Sequence, residues 1–288
     1  MWDTILIGYD GSDEGADALA LARVLAGGGR ARLLAACVAP LPHLARDRPG
    51  LRERLEEQAE QTLAELAGED VDTRAIVAGS PGRGLFELAE AESANLLVVG
   101  SSHRAGLGAV LAGSVGRALL HGAPCEVAVA PRGYRDGGAD RLRVIGVGYN
   151  GTPESEAALD RAIELALDAE ATMRVMTVIP SAVGPDRTVG SGRVSREPTR
   201  RDVMQQELHA AVDRCPPEVR ALPQALTGNP LSQLIAGAQQ GVDVLVLGSR
   251  GYGSIMGVML GSVTEEIVRR APCPVLVFPR ARPGSQNA

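Results

Sequence analysis

The sequence predicts an α/β protein of two tandem domains, each a five-stranded parallel sheet with helices on both faces. Short apolar, β-branched runs alternate with helical segments, and the whole alternation occurs twice. The fourth strand of each copy, Leu96–Val99 and Val244–Leu247, is apolar throughout. Such runs are typical of parallel strands that helices cover on both sides.

An internal repeat defines the two domains. Gly8-Tyr9-Asp10-Gly11-Ser12 recurs as Gly148-Tyr149-Asn150-Gly151-Thr152, 140 residues later, whereas Ala123-Pro124-Cys125 recurs as Ala271-Pro272-Cys273, 148 residues later. The change of offset indicates a net insertion in the second copy, and we assign it to a loop at Gly184–Arg201. The predicted domains are residues 1–134 and 141–282, joined by a polar linker at Arg135–Asp140.

The elements follow one order in both copies. Ser12 and Thr152 are predicted N-caps of the first helices, and Gly27-Gly28-Gly29 ends the first of them. The remaining predicted segments, first copy before second, are strand one (Ile5–Gly8; Val144–Val147), strand two (Arg32–Val38; Met173–Ile179), a charged helix (Leu51–Leu66; Val203–Val212), strand three (Asp72–Val77; Arg220–Ala225), a helix (Gly84–Ala91; Leu231–Gln239) and strand five (Val127–Ala130; Val275–Phe278).

The last strand of each copy is a predicted site of pairing. Pro274 directly precedes the last strand of the second copy, and proline is confined to edge strands or strand starts. Because an exposed edge must be covered or paired, we expect the two copies to pair along these strands.

Composition excludes several kinds of function. The net charge of −6 and 2% aromatic residues argue against nucleic-acid binding. All 29 basic residues are Arg, so lysine-based catalysis and the P-loop lysine are absent. The four Cys and four His are too scattered for a metal site, and we expect the cysteines to be buried. No signal peptide or membrane span is evident, which predicts a cytoplasmic protein.

A glycine pattern after strand four is the most informative feature for function. The second copy has Gly248 and Gly251, then nine residues, then Gly261-Ser262. Glycines allow backbone N–H groups to approach an oxyanion, and the N-terminus of the following helix favours phosphate. The first copy has Gly100 and Gly113-Ser114 at the same spacing, but His103 replaces the second glycine.

The end of strand one is the other candidate contact. Asp10 can accept hydrogen bonds from ribose hydroxyls, whereas Asn150 keeps the shape and loses the charge. Both residues are equally consistent with an ordinary turn after a strand, and His103 with a surface histidine. Each copy therefore keeps one part of the predicted site and alters another.

Together these residues resemble the universal stress protein family in its tandem two-domain form. The resemblance implies a HUP-like, Rossmann-type domain that binds ATP with Mg²⁺ and dimerises through its last strand. It places the acid after strand one near ribose, strand two at adenine, and the glycine pattern at ribose and phosphates. The predicted nucleotide-binding positions are Gly8, Asp10, Val38, Gly100, His103, Gly113, Ser114 and Val115 in the first copy, and Gly148, Asn150, Val178, Gly248, Gly251, Gly261, Ser262 and Val263 in the second.

The favoured function is an adenine-nucleotide-binding regulator of a stress response, without catalysis. The alternatives are a nucleotide-independent interaction scaffold and an adenylating or ATP-hydrolysing enzyme. The expected partners are the nucleotide, an unidentified protein and a second copy of the chain, in addition to the pairing of the two domains.

Overall fold

The computed structural model describes residues 2–27, 31–41, 48–66, 70–101, 116, 119, 123–181, 199–249 and 262–278. The first half contains β1 (Thr4–Gly8), α1 (Asp13–Ala26), β2 (Arg32–Pro40), α2 (Leu51–Leu63), β3 (Asp72–Ala78), α3 (Pro81–Ala91), β4 (Leu96–Gly100) and β5 (Glu126–Ala130). The second half contains β6 (Val144–Gly148), α4 (Pro153–Ala169), β7 (Thr172–Ile179), α5 (Arg200–Asp213), β8 (Ala221–Thr227), α6 (Pro230–Ala238), β9 (Val244–Gly248), α7 (Ser262–Arg270) and β10 (Val275–Phe278).

All ten strands form one sheet, in the order β3-β2-β1-β4-β5-β10-β9-β6-β7-β8. Strands within a half are parallel, and β5 and β10 pair antiparallel across the two halves. Leu276 lies opposite Ala128, its own counterpart in the repeat, so an approximate two-fold axis passes through this pair. The predicted pairing of the copies through their last strands is confirmed.

The core lies on both faces of this sheet. One buried cluster collects the inner sides of α1, α2, α4 and α5, and the other collects those of α3, α6 and α7. Each cluster contains residues from both halves, because the apolar side chains of β5 and β10 continue it across their junction. The α/β architecture predicted from the apolar runs is confirmed.

The helix starts follow from side-chain caps. The Ser12 hydroxyl accepts a hydrogen bond from the Gly15 N–H at 3.1 Å, and the Thr152 hydroxyl accepts one from the Ser155 N–H at 3.4 Å. Gly27, with φ of 53°, ends α1 in the left-handed conformation that glycine adopts without strain. Gly28 and Gly29, predicted to end the same helix, lie outside the described residues.

One predicted boundary in the second half is wrong. Thr199 and Asp202 form a capping box, which starts α5 at Arg200, three residues before the predicted Val203. The predicted loop therefore ends before Arg200 and not at Arg201, and residues 182–198 lie outside the described part of the chain. The sequence showed the insertion but not the capping box that starts the next helix.

The connection between the halves is ordered by contacts that the sequence did not reveal. A helical turn, Tyr134–Gly137, covers the first half of the predicted polar linker Arg135–Asp140. The buried Asp17 carboxylate of α1 accepts hydrogen bonds from the backbone N–H groups of Gly133 at 2.7 Å and Arg135 at 2.9 Å. Tyr134 is 6% exposed, so the turn is anchored to the core as well as to α1.

Candidate functional site

A cleft of about 500 Å³ opens at the carboxyl ends of β6, β7 and β9. The order of the strands reverses beside β6, because β7 lies on one side of it and β9 on the other. Open α/β sheets bind their ligands at this kind of position. The lining residues are Gly148, Tyr149, Asn150, Thr152, Glu154, Ser155, Met176, Val178, Pro180, Arg200, Val203, Met204, Glu207, Pro230, Leu234, Leu247, Gly248, Val263, Thr264 and Ile267.

The turn after β6 is held by its own side chains. The Asn150 Oδ1 atom accepts hydrogen bonds from the Thr152 backbone N–H at 3.3 Å and from its hydroxyl at 2.9 Å. The buried Ser155 hydroxyl donates to the Thr152 carbonyl at 2.8 Å and accepts from the Asn150 N–H at 3.4 Å. The turn is therefore preorganised, and Asn150 has the turn role that the sequence left open.

The first half has the same turn with one charge more. The Asp10 Oδ1 atom accepts hydrogen bonds from the Ser12 backbone N–H at 3.2 Å and from the Ser12 hydroxyl. Gly15 stands where the second half has Ser155, so the serine hydroxyl that braces the second turn is missing here. Asp10 is exposed, and its carboxylate belongs to an Asx turn as its amide counterpart does.

The first glycine of each predicted phosphate pattern has a packing role of its own. A Cβ on Gly248 would lie 2.5 Å from the carbonyl carbon of Glu154, in the first turn of α4. A Cβ on Gly100 would lie 2.6 Å from the carbonyl carbon of Glu14, in the first turn of α1. Glycine at these strand ends therefore lets the helix start touch the sheet, whether or not a ligand is bound.

The predicted adenine contacts lie at equivalent places in the two halves. Val178, 9% exposed, lines the cleft on β7, and Val38 is half-buried on β2. The Tyr149 N–H donates to the Met176 carbonyl at 2.9 Å, and the Tyr9 N–H donates to the corresponding carbonyl of β2 at 3.0 Å. These bonds hold the ends of strands one and two together, beside the predicted adenine position.

The predicted glycines Gly8 and Gly148 end β1 and β6, and Gly148 also lines the cleft. A Cβ on Gly148 would lie 2.6 Å from the Leu247 side chain, and one on Gly8 would lie 3.1 Å from Leu85. Both glycines therefore have steric reasons within the fold.

The remaining predicted positions lie at or beyond the limits of the described residues. Ser262 begins α7, Val263 lines the cleft, and the Thr264 hydroxyl donates to the Gly248 carbonyl at 3.2 Å. His103, Gly113, Ser114, Val115, Gly251 and Gly261 lie outside the described residues.

Several lining residues were not predicted. Glu154 and Arg200 bring opposite charges to the cleft, and Glu207 brings a second carboxylate. The Tyr149 hydroxyl donates to the Glu156 carboxylate, and burial together with this carboxylate raises the pKa of Tyr149 to about 12. Tyr149 could have been found, because it lies inside the repeated Gly-Tyr motif, whereas the α5 residues carry no motif.

Two buried hydroxyls lie directly after the fourth strands. Ser101 is 2% exposed and Ser249 is 1% exposed, and neither hydroxyl oxygen has a hydrogen-bond partner among the described residues. Each occupies the position where the predicted phosphate loop leaves the sheet.

The cysteines are those of a folded core. Cys37, Cys125 and Cys273 are buried, Cys215 is half-buried, and all four are free thiols. Burial raises the pKa of Cys125 and of Cys273 to about 12.

Within the described ranges, no three His, Cys, Asp or Glu side chains group as metal ligands. None of the helices that the structure describes is long and apolar enough to span a membrane.

The fold and the cleft define a tandem, Rossmann-type α/β protein with a cleft at the strand-order reversal of its second half. The family model described as the universal stress protein family matches residues 1–131 and again residues 141–279. The chain belongs to the universal stress protein family, whose role is in the stress response.

Known proteins of the same tandem length are similar throughout. Universal stress proteins of Mycobacterium tuberculosis and Mycobacterium bovis are each 30% identical over 296 aligned residues, which cover 96% of this chain and 99% of theirs. The crystal structure of a universal stress protein from Archaeoglobus fulgidus superposes with a TM-score of 0.68 at 20% identity and covers 97% of both chains. That likeness concerns the fold.

Proposed function

We propose that this protein binds an adenine nucleotide, ATP with Mg²⁺, and acts as a non-catalytic regulator in the stress response. The observation that carries the proposal is the cleft at the carboxyl ends of β6, β7 and β9. Its volume of about 500 Å³ lies within the range of small-molecule sites, and it lies where the strand order reverses.

The residues present fit such a ligand. Val178, Met176 and Leu234 give the β7 side of the cleft an apolar wall suited to a purine base. On the other side, α7 begins at Ser262, and the free N–H groups of a helix start favour phosphate. Mg²⁺ would be held chiefly by the phosphates, so the cleft needs no cluster of protein ligands.

The two halves should bind unequally. The second half keeps Gly251, whereas His103 takes the equivalent place in the first. We therefore assign the stronger phosphate binding to the second half, although Asn150 there has lost the charge that Asp10 offers to ribose.

The first experiment looks for nucleotide directly. The purified protein is denatured and the released small molecules are separated, and the ligand-free protein is then titrated with MgATP by calorimetry. Bound adenine nucleotide or saturable binding supports the proposal. No released nucleotide and no binding in the millimolar range would exclude it.

Paired variants then locate the site. Gly261→Ala should weaken binding more than Gly113→Ala, and Val178→Phe should weaken it more than Val38→Phe, because the larger ring fills the cleft of the second half. The opposite order in both pairs would place the stronger site in the first half. Circular dichroism checks that each variant is folded.

A nucleotide-independent scaffold is the second candidate, and a specific observation favours it. Gly100 and Gly248 are required for the helix starts to pack, and the Asx turns of Asp10 and Asn150 are complete without a ligand. These residues can therefore persist in a protein that binds no nucleotide. The titration separates the two candidates.

A further inference from the structure

A buried polar cluster joins the two halves on one side of the β5–β10 junction. Glu126, the first residue of β5, accepts a hydrogen bond from the indole N–H of Trp2 at 2.8 Å. The Arg161 guanidinium of α4 reaches the same carboxylate, with Nε 3.0 Å from Oε2 and Nη2 2.8 Å from Oε1. It also lies over the Trp2 ring, 4.7 Å from the centroid. Trp2 and Glu126 belong to the first half, and Arg161 belongs to the second.

Little of this cluster is in contact with water. Trp2 is 2% exposed, and the side chains of Glu126 and Arg161 are 10% and 11% exposed. The guanidinium makes a forked pair of contacts with the Glu126 carboxylate, stacks on the Trp2 ring and also contacts Glu164. Removing Arg161 would leave the buried Glu126 carboxylate without a guanidinium, and removing Glu126 would leave Arg161 with only the exposed Glu164; both changes are unfavourable.

The opposite side of the junction lacks this cluster. The repeat places Leu142 at the position equivalent to Trp2, Pro274 at that of Glu126, and Leu21 at that of Arg161. All three are buried, with Leu21 and Leu142 at 0% and 4% exposure. The approximate two-fold axis through Ala128 and Leu276 therefore relates a charged side to an apolar one.

This asymmetry has a consequence for which halves can pair. In a pair of two first halves, each Glu126 would face Leu21 of the other copy, and two buried carboxylates would lack a guanidinium. In a pair of two second halves, each Arg161 would face Pro274 and Leu142, and two guanidinium groups would lose their buried carboxylate and keep only the exposed Glu164 of their own helix. Only a first half with a second half gives each buried Glu126 a guanidinium and each Arg161 its buried carboxylate.

We propose that the Trp2–Glu126–Arg161 cluster selects the partner of each half. It directs a first half to a second half and prevents chains from associating through two like halves. Hydrophobic burial along β5 and β10 supplies the stability of the junction, and the cluster supplies the choice of partner.

Moving one guanidinium should reverse the choice. In the double variant Leu21→Arg/Arg161→Leu, two first halves can form two Glu126–arginine pairs, and two second halves present only apolar groups. The native pairing of unlike halves would then bury an unpaired carboxylate and an unpaired guanidinium. We expect this variant to form dimers of chains through like halves.

A cysteine at the two-fold axis reports the pairing. Leu276 faces Ala128 in the native pairing, but it would face Leu276 of another chain if two second halves paired. Leu276→Cys is therefore introduced into each full-length chain, and disulfide-linked dimers are measured on non-reducing gels after mild oxidation. The same chains without Leu276→Cys give the background from the native cysteines.

The reporter chain without further changes should show only background dimer. Leu21→Arg/Arg161→Leu should raise the linked dimer by at least about tenfold, because pairing or unpairing a buried charge shifts an equilibrium by more than that. A folded double variant that stays at background would overturn the proposal.

A second variant covers the case in which the first does not fold. Glu126→Leu/Arg161→Leu makes both sides apolar, a replacement that buried ion pairs usually tolerate. This variant should fold. With Leu276→Cys added, its fraction of disulfide-linked dimer should exceed that of the reporter chain, because pairing of like halves no longer buries an unpaired charge. A linked dimer equal to the parent's would show that the cluster does not select the partner.

Discussion

Replacing Gly248 with alanine tests whether this glycine is needed for packing. The added Cβ would lie 2.5 Å from the Glu154 carbonyl carbon, whereas ordinary contact begins at 3.4 Å. The first turn of α4 must therefore move away from the sheet by about 1 Å, since the carbons cannot overlap. Overpacking costs about 1–3 kcal/mol in free energy of unfolding. We place Gly248→Ala at about 3 kcal/mol, because the clash is between a Cβ and a backbone carbonyl and neither can rotate away.

Thermal unfolding followed by circular dichroism measures this cost. A loss of about 3 kcal/mol corresponds to a fall in Tm of about 6–12 °C for a domain of this size. Gly100→Ala is the matched variant in the first half and should behave alike, since its Cβ would lie 2.6 Å from the Glu14 carbonyl carbon. Gly79→Ala is the control, because nothing lies within 4 Å of its added Cβ.

The result that would refute the packing argument is equally clear. If Gly248→Ala unfolds within about 0.5 kcal/mol of the parent, as an unstrained surface substitution does, the helix start does not depend on glycine. The glycine would then be explained by a ligand alone, and the same variant should lose nucleotide binding without losing stability.

Three further predictions concern buried polar groups. Arg161→Leu should lower the free energy of unfolding by about 3–5 kcal/mol in chemical denaturation, whereas Arg161→Leu/Glu126→Leu should remain near the parent, because only the single variant strands a buried charge. Asp17→Ala should cost about 2 kcal/mol and speed proteolysis of the linker turn, because two backbone N–H groups lose their acceptor; an unchanged cleavage rate would contradict this. Tyr149 should titrate near pH 12 by NMR, and its contribution to stability should be complete below its ordinary pKa of 10.0 and lost as pH rises towards 12. Glu156→Gln should lower that pKa while burial keeps it above 10, and an unchanged value would show that the carboxylate is not a cause.

The sequence predicted the fold well because its evidence is local and repeated. Alternating apolar runs fixed the strands within a few residues, and the serine and threonine caps fixed the starts of α1 and α4. The pairing of β5 with β10 also followed, since Pro274 and the edge argument pointed to it. Comparison of two copies added information that a single domain would not have provided.

Contacts between residues far apart in the chain could not be predicted in this way. The cap of the linker turn joins Asp17 to Gly133 and Arg135, and the junction cluster joins Glu126 to Arg161. Neither has a spacing that would mark it as a motif. Arg200 and Glu207 of the cleft were missed for the same reason, because α5 reaches the turn after β6 only in the folded chain.

The structure also changes which residues can answer the functional question. Gly100, Gly248, Asp10 and Asn150 have roles in packing or in turns, so their presence is expected in a binder and in a scaffold alike. Val178 is different, because it lines the cleft, and a larger residue there would take up room that a base would occupy. A comparison of Val178→Phe with Val38→Phe in nucleotide titrations therefore tests the nucleotide site directly, whereas loss of binding in Gly248→Ala has two explanations, a displaced start of α4 and a lost ligand contact.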